Sequence, residues 1–294
     1  MSSKYKYHIW LHIIVLIFGF TGILGKLIEA DSYLLVWYRV GIALIAILGY
    51  FFITKHSLKI TRKLLFKILL VGVVIAVHWI TFFEAIKQSN VSIALVCFSS
   101  STLFTSLIEP FYFKRKIKPY ELIFGLLIIV GLYFIFSFEF SYLNGMLLSF
   151  FSAALASWFT VLNGMLVKET NAKTISFYEL LGAFSIVSIY LIGANGLNFS
   201  AYKISWTDFK WLLILGTVCT AFAFIVSVEV MKKISPYTVT ISVNLEPIYS
   251  IILALLIWPE TETMSSGFYM GTIIVLVTIF LNAYFKRNKI DSKS

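Results

Sequence analysis

Charged residues are scarce in this sequence: of 294 residues only 13% are Asp, Glu, Lys or Arg, whereas 60% are hydrophobic. Soluble domains carry about 25% charged residues, so the composition excludes an ordinary soluble protein. The longest polar gap between apolar runs, about residues 195–207, is too short to hold a core of its own. The sequence therefore predicts a polytopic membrane protein with no separate soluble domain.

Cysteine is almost absent, because the chain has only Cys97 and Cys219, and both lie inside apolar runs. This placement indicates neither a disulfide framework nor a metal cluster, so no metal site and no cofactor are expected. The motifs H-E-x-x-H and G-x-S-x-G are missing, and no apolar run contains an aspartate, which disfavours an intramembrane enzyme. Rings of like charge and broken or re-entrant segments are not apparent, which disfavours a channel.

Ten apolar runs are long enough to cross a bilayer as helices. Lys4 and Lys6 before the first run resemble the start of a signal peptide, but no cleavage site follows cleanly, so this run is interpreted as the first anchor helix. The fold class predicted is an all-α polytopic membrane protein. The expected spans are 8–27, 33–53, 64–86, 91–113, 120–138, 143–167, 174–193, 209–231, 236–258 and 264–285.

Basic residues separate onto alternate sides of these spans, with 19 on one side and 4 on the other. Because basic residues concentrate in cytoplasmic loops, both termini are expected in the cytoplasm, and the expected location is a bacterial-type inner (plasma) membrane. The same clustering explains the net charge of +10 without nucleic acid as a partner. The basic residues of the richer side are Lys4, Lys6, Lys55, Lys59, Arg62, Lys63, Lys67, Lys114, Arg115, Lys116, Lys118, Lys168, Lys173, Lys232, Lys233, Lys286, Arg287, Lys289 and Lys293.

The chain contains a weak internal repeat. A shift of 146 places residues 235–282 on 89–136 without gaps, matching Ser235 with Ser89 and Gly271 with Gly125. A shift of 140 sets Glu179 on Arg39. We expect two five-helix repeats, 1–141 and 142–294, that form one transmembrane domain. Because five is odd, the second repeat must be inverted, an arrangement typical of alternating access around a site near the bilayer midplane.

Several motifs give the chain its resemblance to a known family. They are the Phe18-Gly19 pair in the first span, Arg39 early in the second, and a repeat-ending pattern of polar helix, proline, charged turn and glycine-bearing helix. The pattern comprises Glu109-Pro110 and Gly125 in the first repeat, and Glu246-Pro247, Glu260 and Gly271 in the second. The chain thus resembles the drug/metabolite transporter superfamily, EamA type. It departs from the family pattern at Phe18, where tryptophan is usual, and at Lys114-Arg115-Lys116, where an acid is common.

The resemblance implies a secondary active transporter, with export as the expected direction and a central cavity between the repeats. It implies an amino acid, another metabolite or a cationic drug-like compound as substrate. The expected partners are this substrate, the lipid bilayer, protons as a candidate coupling ion and a second copy in a candidate homodimer. A non-transporting structural or assembly membrane protein remains the alternative, and an intramembrane enzyme a weaker one.

Glu246 is the residue around which the functional hypothesis is built. It lies about ten residues into its span, which at ~1.5 Å per residue places it near the midplane. Ionisable side chains at that depth face protein or water. Thr238, Ser242, Glu246 and Tyr249 share one helical stripe, whereas Asn244 lies off it unless the helix is distorted at Pro247.

Arg39 also lies too deep to reach the surface easily, and its candidate partners are Glu246 and Glu179. His78 is a second candidate proton carrier beside Glu246, or else a satisfied interhelical hydrogen-bond donor. Small polar residues on the fourth and sixth spans either pack helices or wet a cavity wall. The expected substrate-binding residues are Glu246, Arg39, Trp158, Asn163, Ser99, Thr102, Tyr249, His78, Trp79 and Tyr178, and the coupling or gating residues are Glu246, Glu179, His78 and Arg39.

Overall fold

A computed structural model describes residues 3–196 and 198–291, and within these ranges every regular element is helical. The side chains of Lys4, Lys286, Arg287 and Lys289, and the whole of Lys293, lie outside the described part, so these five basic residues are not placed. The first half of the chain forms α1 Ser3–Leu27, α2 Ser32–Thr54, α3 Arg62–Gln88, α4 Val91–Phe98, α5 Ser101–Phe113 and α6 Pro119–Phe138. The second forms α7 Leu143–Leu166, α8 Ala172–Asn195, α9 Trp206–Gly216, α10 Ala223–Val230, α11 Pro236–Val243, α12 Glu246–Ile257, α13 Pro259–Glu262 and α14 Ser266–Asp291.

These helices assemble into ten membrane spans, as expected. Among the described residues nine helical segments are long and apolar enough to cross a bilayer, and the shorter apolar stretch Ser266–Asn282 of α14 supplies the tenth. Successive spans run in opposite directions, so the bundle has two ends. We call the end formed by the loops 55–61, 114–118, 167–171 and 231–235 the basic end. The opposite end, formed by 28–31, 89–90, 139–142, 198–205 and 258–265, we call the acidic end.

Polar side chains at the span starts explain where the helices begin. The side chain of Asp31 accepts from two backbone N–H groups at the start of α2, and Asn90, Asn171 and Ser235 do the same, with one bond each, for α4, α8 and α11. Such caps satisfy donors that have no partner within the helix. At the basic end α2 and α5 stop at Lys55 and Lys114, which adopt left-handed backbone conformations with φ of 50° and 52°.

Two spans are interrupted near their middle, which corrects the sequence prediction. The fourth breaks between α4 and α5 at Ser99 and Ser100, and the ninth between α11 and α12 at Asn244 and Leu245. The Asn244 amide donates to the Ser99 carbonyl (3.2 Å) and to the Thr102 hydroxyl, while its Oδ1 accepts from Ser101 (3.2 Å). Both spans are present as expected. The interruption of the fourth was not expected, whereas that of the ninth lies just before Pro247, where the sequence analysis allowed for a distortion, and the Asn244 side chain joins the two interruptions to each other.

The two halves interlock around an approximate twofold relation. Contacts between spans occur in repeat-related pairs: α3 packs on α7 while α10 packs on α1, and α12 packs on α1 while α5 packs on α7. The pairs α2 with α8 and α6 with α14 join equivalent spans of the two halves directly. This is the inverted-repeat architecture that the sequence predicts, and it leaves a seam between the halves at the centre of the bundle.

Candidate functional site

A cavity of about 100 Å³ lies in the seam between the halves. Its walls reach within about a turn of the basic end at Ser227 and Val239, but stop about two turns short of the acidic end at Thr21 and Phe82. The cavity therefore extends towards the basic end. Its lining residues are Phe18, Thr21, Arg39, His78, Trp79, Phe82, Phe98, Ser101, Ala156, Ser157, Phe159, Thr160, Cys219, Phe224, Ser227, Val239, Thr240, Val243 and Glu246.

Arg39 is the cation of this cavity, and it is only 2% exposed. Its Nε donates to Thr220 Oγ1 at 2.6 Å, and its guanidinium lies over the Trp79 ring, 4.2 Å from the centroid. Thr220 reaches this position because residues Thr217–Phe222 form a π-helical turn in the eighth span. Nη1 has no hydrogen-bond partner among the described residues, so one donor group of the guanidinium remains free.

Glu246 is the carboxylic side chain of the same cavity and is 5% exposed. It is the first residue of α12, directly after the break in the ninth span, so its backbone lies at a helix N-terminus. Among the described residues no salt bridge within 4.0 Å joins Arg39 to Glu246 or to Glu179, and neither candidate partner of Arg39 forms an ion pair with it. The cavity thus holds a guanidinium and a carboxyl group that do not form a salt bridge with each other.

His78 is held by Ser152 on the neighbouring α7. The Ser152 hydroxyl donates to the His78 carbonyl at 2.9 Å, so its oxygen accepts from the imidazole Nδ1 at 2.8 Å. This arrangement places the proton of the neutral ring on Nδ1 and leaves Nε2 as an acceptor. His78 therefore makes the interhelical hydrogen bond that was one of its two expected roles, while its ring also lines the cavity.

Aromatic rings form much of the remaining wall. Trp79 meets Phe224 edge-on at 5.8 Å between centroids, and Phe82 meets Phe98 at 5.3 Å. The His78 ring stacks on Phe98 at 5.6 Å. Such a wall offers ring faces to an apolar, aromatic or cationic group, while Arg39 and Glu246 supply the ionic contacts.

The remaining sequence-predicted site residues lie outside the cavity. Ser99 and Thr102 are buried at the helix breaks, where they bind Asn244. Asn163 and Glu179 are buried and contact each other between α7 and α8. The others lie towards the surface: Trp158 donates to Tyr112 and is 38% exposed, Tyr249 is 38% exposed, and Tyr178 donates to the Leu58 carbonyl. The structure thus brings four of the expected residues, Arg39, His78, Trp79 and Glu246, into one cavity.

At the acidic end, beyond the cavity, the two halves are joined by Glu262, a residue that the sequence analysis did not single out. Its carboxylate is completely buried and receives Lys26 Nζ at 2.7 Å, the Val91 and Ser92 N–H groups at 3.1 and 2.9 Å, and the Ser92 hydroxyl at 2.7 Å. It therefore joins α13 of the second half to the N-terminus of α4 and to α1 of the first half. The only available signal was the acidic turn after the ninth span.

At the basic end the corresponding turn of the first half, residues 114–118, is held by contacts within that half only. Arg115 bridges Glu109 and Glu121, each at 2.9 Å, and all three residues belong to the first half. Burial alone would lower the pKa of Arg115, but its hydrogen bonds to Glu121 and Glu109 outweigh this effect and leave the pKa above its ordinary value. Arg115, one of the three basic residues at the position where the resemblance leads one to expect an acid, thus binds two carboxylates nearby.

Asn244 and Thr220 are further residues of the site that the sequence analysis missed. Asn244 lies off the predicted polar stripe because a regular helix was assumed there, and Thr220 reaches Arg39 only through the π-helical turn. The stripe itself is not formed as expected, since Val239, Thr240, Val243 and Glu246 line the cavity while Thr238, Ser242 and Tyr249 do not. Local departures from helix geometry decide which side chains face the seam.

Comparison with known proteins agrees with this architecture. The sequence model of the EamA-like transporter family matches residues 5–137 and again 143–284. A solved structure described only as the crystal structure of a protein has the same fold, with a TM-score of 0.70, 13% sequence identity, and coverage of 94% of this chain and 96% of that one. Among curated proteins no sequence matches. Because the family match spans nearly the whole chain, in two copies, the protein belongs to the EamA-like transporter family, the EamA branch of the drug/metabolite transporters.

Proposed function

We propose that the protein is a secondary transporter that exports a small zwitterionic metabolite, such as an amino acid with an apolar or aromatic side chain, by alternating access. The family supports a membrane transporter. The observation that carries the substrate class is that Arg39 and Glu246, which can carry opposite charges, line one aromatic cavity without a salt bridge between them among the described residues. Burying isolated charges is costly, so a ligand that brings a carboxylate to Arg39 and an ammonium to Glu246 satisfies both.

In this proposal the basic end lies in the cytoplasm of a bacterial-type cell, because basic loops stay on that side of an inner membrane. The halves 1–141 and 142–294 then rock against each other. The arrangement described above is the form that faces the cytoplasm, with the extracellular side closed through Glu262. His78 and Trp79 complete the binding wall. The helices that carry this wall are held in place by residues outside the cavity, namely Ser99, Thr102 and Asn163. In a form with a wider cavity, the substrate also contacts Trp158, Tyr178 and Tyr249.

A cationic drug-like compound is the second candidate substrate. Glu246 and the aromatic wall favour it through charge and cation–π contacts. The buried Arg39 disfavours it, since a like charge is brought within the same small cavity. We also propose that protons are the coupling ion and that the protein forms a homodimer.

Counterflow in proteoliposomes tests the proposed function. Vesicles loaded with an unlabelled amino acid should take up the labelled form saturably, and the methyl ester or the amide of the same amino acid should compete poorly because it lacks the carboxylate for Arg39. Glu246→Gln should reduce flux at least tenfold while the protein stays folded and inserted. The matched control is Glu229→Gln, which alters only an exposed salt bridge with Lys232 at the basic end.

Each failure has a distinct meaning. Wild-type rates in Glu246→Gln would remove this carboxylate from the mechanism. Competition by the ester but not by the zwitterion would favour the cationic substrate. Absence of counterflow for every solute in a broad panel would favour the non-transporting membrane protein.

A further inference from the structure

A second polar site lies between α7 and α8, about 10 Å from the basic end, outside the substrate cavity. Glu179 is completely buried there, and its carboxylate has a single, long hydrogen bond, donated by Asn163 Nδ2 at 3.4 Å. Glu179 Oε1 and Asn163 Oδ1 have no partner among the described residues, and neither has the hydroxyl of Ser176, one turn closer to the basic end. Three buried oxygen atoms thus lack partners at one place in the fold.

Among the residues that the structure describes, no cation forms a salt bridge with Glu179. The charged and titratable side chains on the elements packed against α8 have other partners or lie elsewhere in the structure. Two salt bridges occupy Lys67 with Glu169 and Lys232 with Glu229. Hydrogen bonds occupy Lys173 with Tyr50, Arg39 with Thr220, His56 with Thr174 and His78 with Ser152. Arg62 and Lys63 are exposed at the basic end, and Glu84 and Lys87 lie near the acidic end. An ionised carboxylate in this position would be buried without compensation, which costs several kcal/mol.

A single proton satisfies two of these three groups, Glu179 Oε1 and Asn163 Oδ1. A protonated Glu179 has an O–H donor that Asn163 Oδ1 can accept, while Asn163 Nδ2 donates to the other carboxyl oxygen. The Glu179 acid and the Asn163 amide then form a cyclic pair in which both oxygens of the acid and the oxygen of the amide have a hydrogen-bond partner. A sodium ion would need five or six oxygen ligands, more than the unpartnered oxygens found here. The chemistry of the site therefore fits a proton.

The site is also placed to influence the cavity. Thr160 lines the cavity and lies one turn before Asn163 on the same face of α7. On the other side, α8 packs against α3, whose residues His78, Trp79 and Phe82 form part of the cavity wall. Breaking the contact between Asn163 and Glu179 would remove a hydrogen bond that joins α7 to α8 next to the cavity wall.

We propose that Glu179, held by Asn163, carries the coupling proton at a site separate from the substrate cavity. This proposal rests on the proposed transport function. The proton comes from water at one membrane face, forms an O–H bond with Glu179, and returns to water at the other face after the halves have moved. No other covalent bond changes, and Glu246 remains a substrate ligand.

Glu179→Gln tests the proposal, because glutamine keeps the shape and a hydrogen-bonding amide but carries no exchangeable charge. In proteoliposomes without a pH gradient, exchange of labelled for unlabelled substrate should stay within about twofold of wild type. Accumulation driven by a pH gradient should fall at least tenfold, and substrate-dependent proton movement, followed with a trapped pH dye, should disappear. Glu169→Gln, a half-exposed carboxylate ten residues away, should change neither readout.

The outcomes separate the two proposals. Loss of exchange in wild type would contradict the transport function itself, whereas exchange with normal pH-driven accumulation in Glu179→Gln would overturn only the proton site. Accumulation that follows a sodium gradient and ignores pH would overturn it as well. If Glu179→Gln fails to fold, infrared difference spectra of the wild type decide: a protonated carboxyl band should respond to substrate and shift in Asn163→Ala, and absence of such a band would refute the proposal.

Discussion

Arg39 is stabilised by a hydroxyl and an aromatic face, where the sequence suggested a carboxylate. Its contacts are the hydrogen bond to Thr220 and the Trp79 ring beneath the guanidinium. A hydrogen bond to a charged group contributes about 1.5–3 kcal/mol, and a desolvated cation–π contact about 2 kcal/mol. Both contacts also fix the position of the free Nη1 in the cavity.

We therefore expect Arg39→Ala to destabilise the protein more than Ser99→Ala. The Ser99 hydroxyl only donates to the Leu95 carbonyl of its own helix at 3.3 Å, so its loss should cost a few tenths of a kcal/mol. Arg39→Ala should lower the melting temperature in detergent by several degrees, and Arg39→Lys should fall between the two because lysine keeps the charge without the planar stack. Equal melting of the alanine variants would show that these contacts contribute nothing measurable.

The position of these residues along their spans was easier to predict from the sequence than the side of the helix on which each one lies. Depth along a span follows from counting residues along an apolar run, and Arg39, His78 and Glu246 do lie well inside their helical spans. Direction depends on helix rotation and local distortion. Trp158 and Tyr249 lie at a suitable depth along their spans yet do not line the cavity, because the depth of a residue does not determine which face of the helix carries it.

At the scale of helices, the spans were predictable and the interruptions were not. Runs of twenty apolar residues and the alternation of basic loops specify the ten spans. The breaks at Ser99 and Asn244 depend on a contact between residues about 145 positions apart, which no local pattern encodes. The π-helical turn at Thr217–Phe222 likewise leaves no simple trace in the sequence, although it supplies the partner of Arg39.

The contact between α3 and α8 depends on the absence of a side chain at Gly72. A Cβ atom there would lie 2.1 Å from the carbonyl oxygen of Glu179, and backbone cannot move aside cheaply. We expect Gly72→Ala to force the two helices apart and to destabilise the protein by about 1–3 kcal/mol. The melting temperature in detergent measures this effect.

Gly49 provides the control, because a Cβ atom at that position meets nothing within 4 Å. Gly49→Ala should be neutral or slightly stabilising, since alanine favours a helix over glycine by about 0.5–1 kcal/mol. Similar losses of stability in both variants would mean that glycine matters here through helix flexibility and not through the close packing of α3 on α8.

At the scale of the whole molecule, the two halves share a fold but differ in how they close the seam. Under the shift of 146, Glu262 corresponds to Lys116. Glu262 is buried and bridges the halves at the acidic end, whereas Arg115 beside Lys116 binds carboxylates within its own half. The ion pair across the halves at the basic end, Lys67 with Glu169, is half-exposed and 3.6 Å long. Exposed pairs contribute little, so the halves are held together more firmly at the acidic end.

This asymmetry predicts that weakening Glu262 shifts the protein towards a form open at the acidic end. The Glu262 carboxylate attracts Lys26, and its charge also strengthens the two hydrogen bonds that it accepts from backbone N–H groups. Glu262→Gln removes this charge. The closed form should lose about 1.5–3 kcal/mol of stability, which changes the ratio of open to closed forms by roughly 10- to 100-fold.

Cys219, which lines the cavity, is a native reporter of that opening. In a Cys97→Ala background, an impermeant thiol reagent added from the acidic side should label Cys219 at least tenfold faster in Glu262→Gln than in the parent. Glu260→Gln, which changes the neighbouring exposed carboxylate, should label at the parent rate. Equal rates in the two variants would mean that Glu262 only braces the α13 turn, and that the seam is held shut at the acidic end by the packed aromatic and aliphatic side chains beneath it.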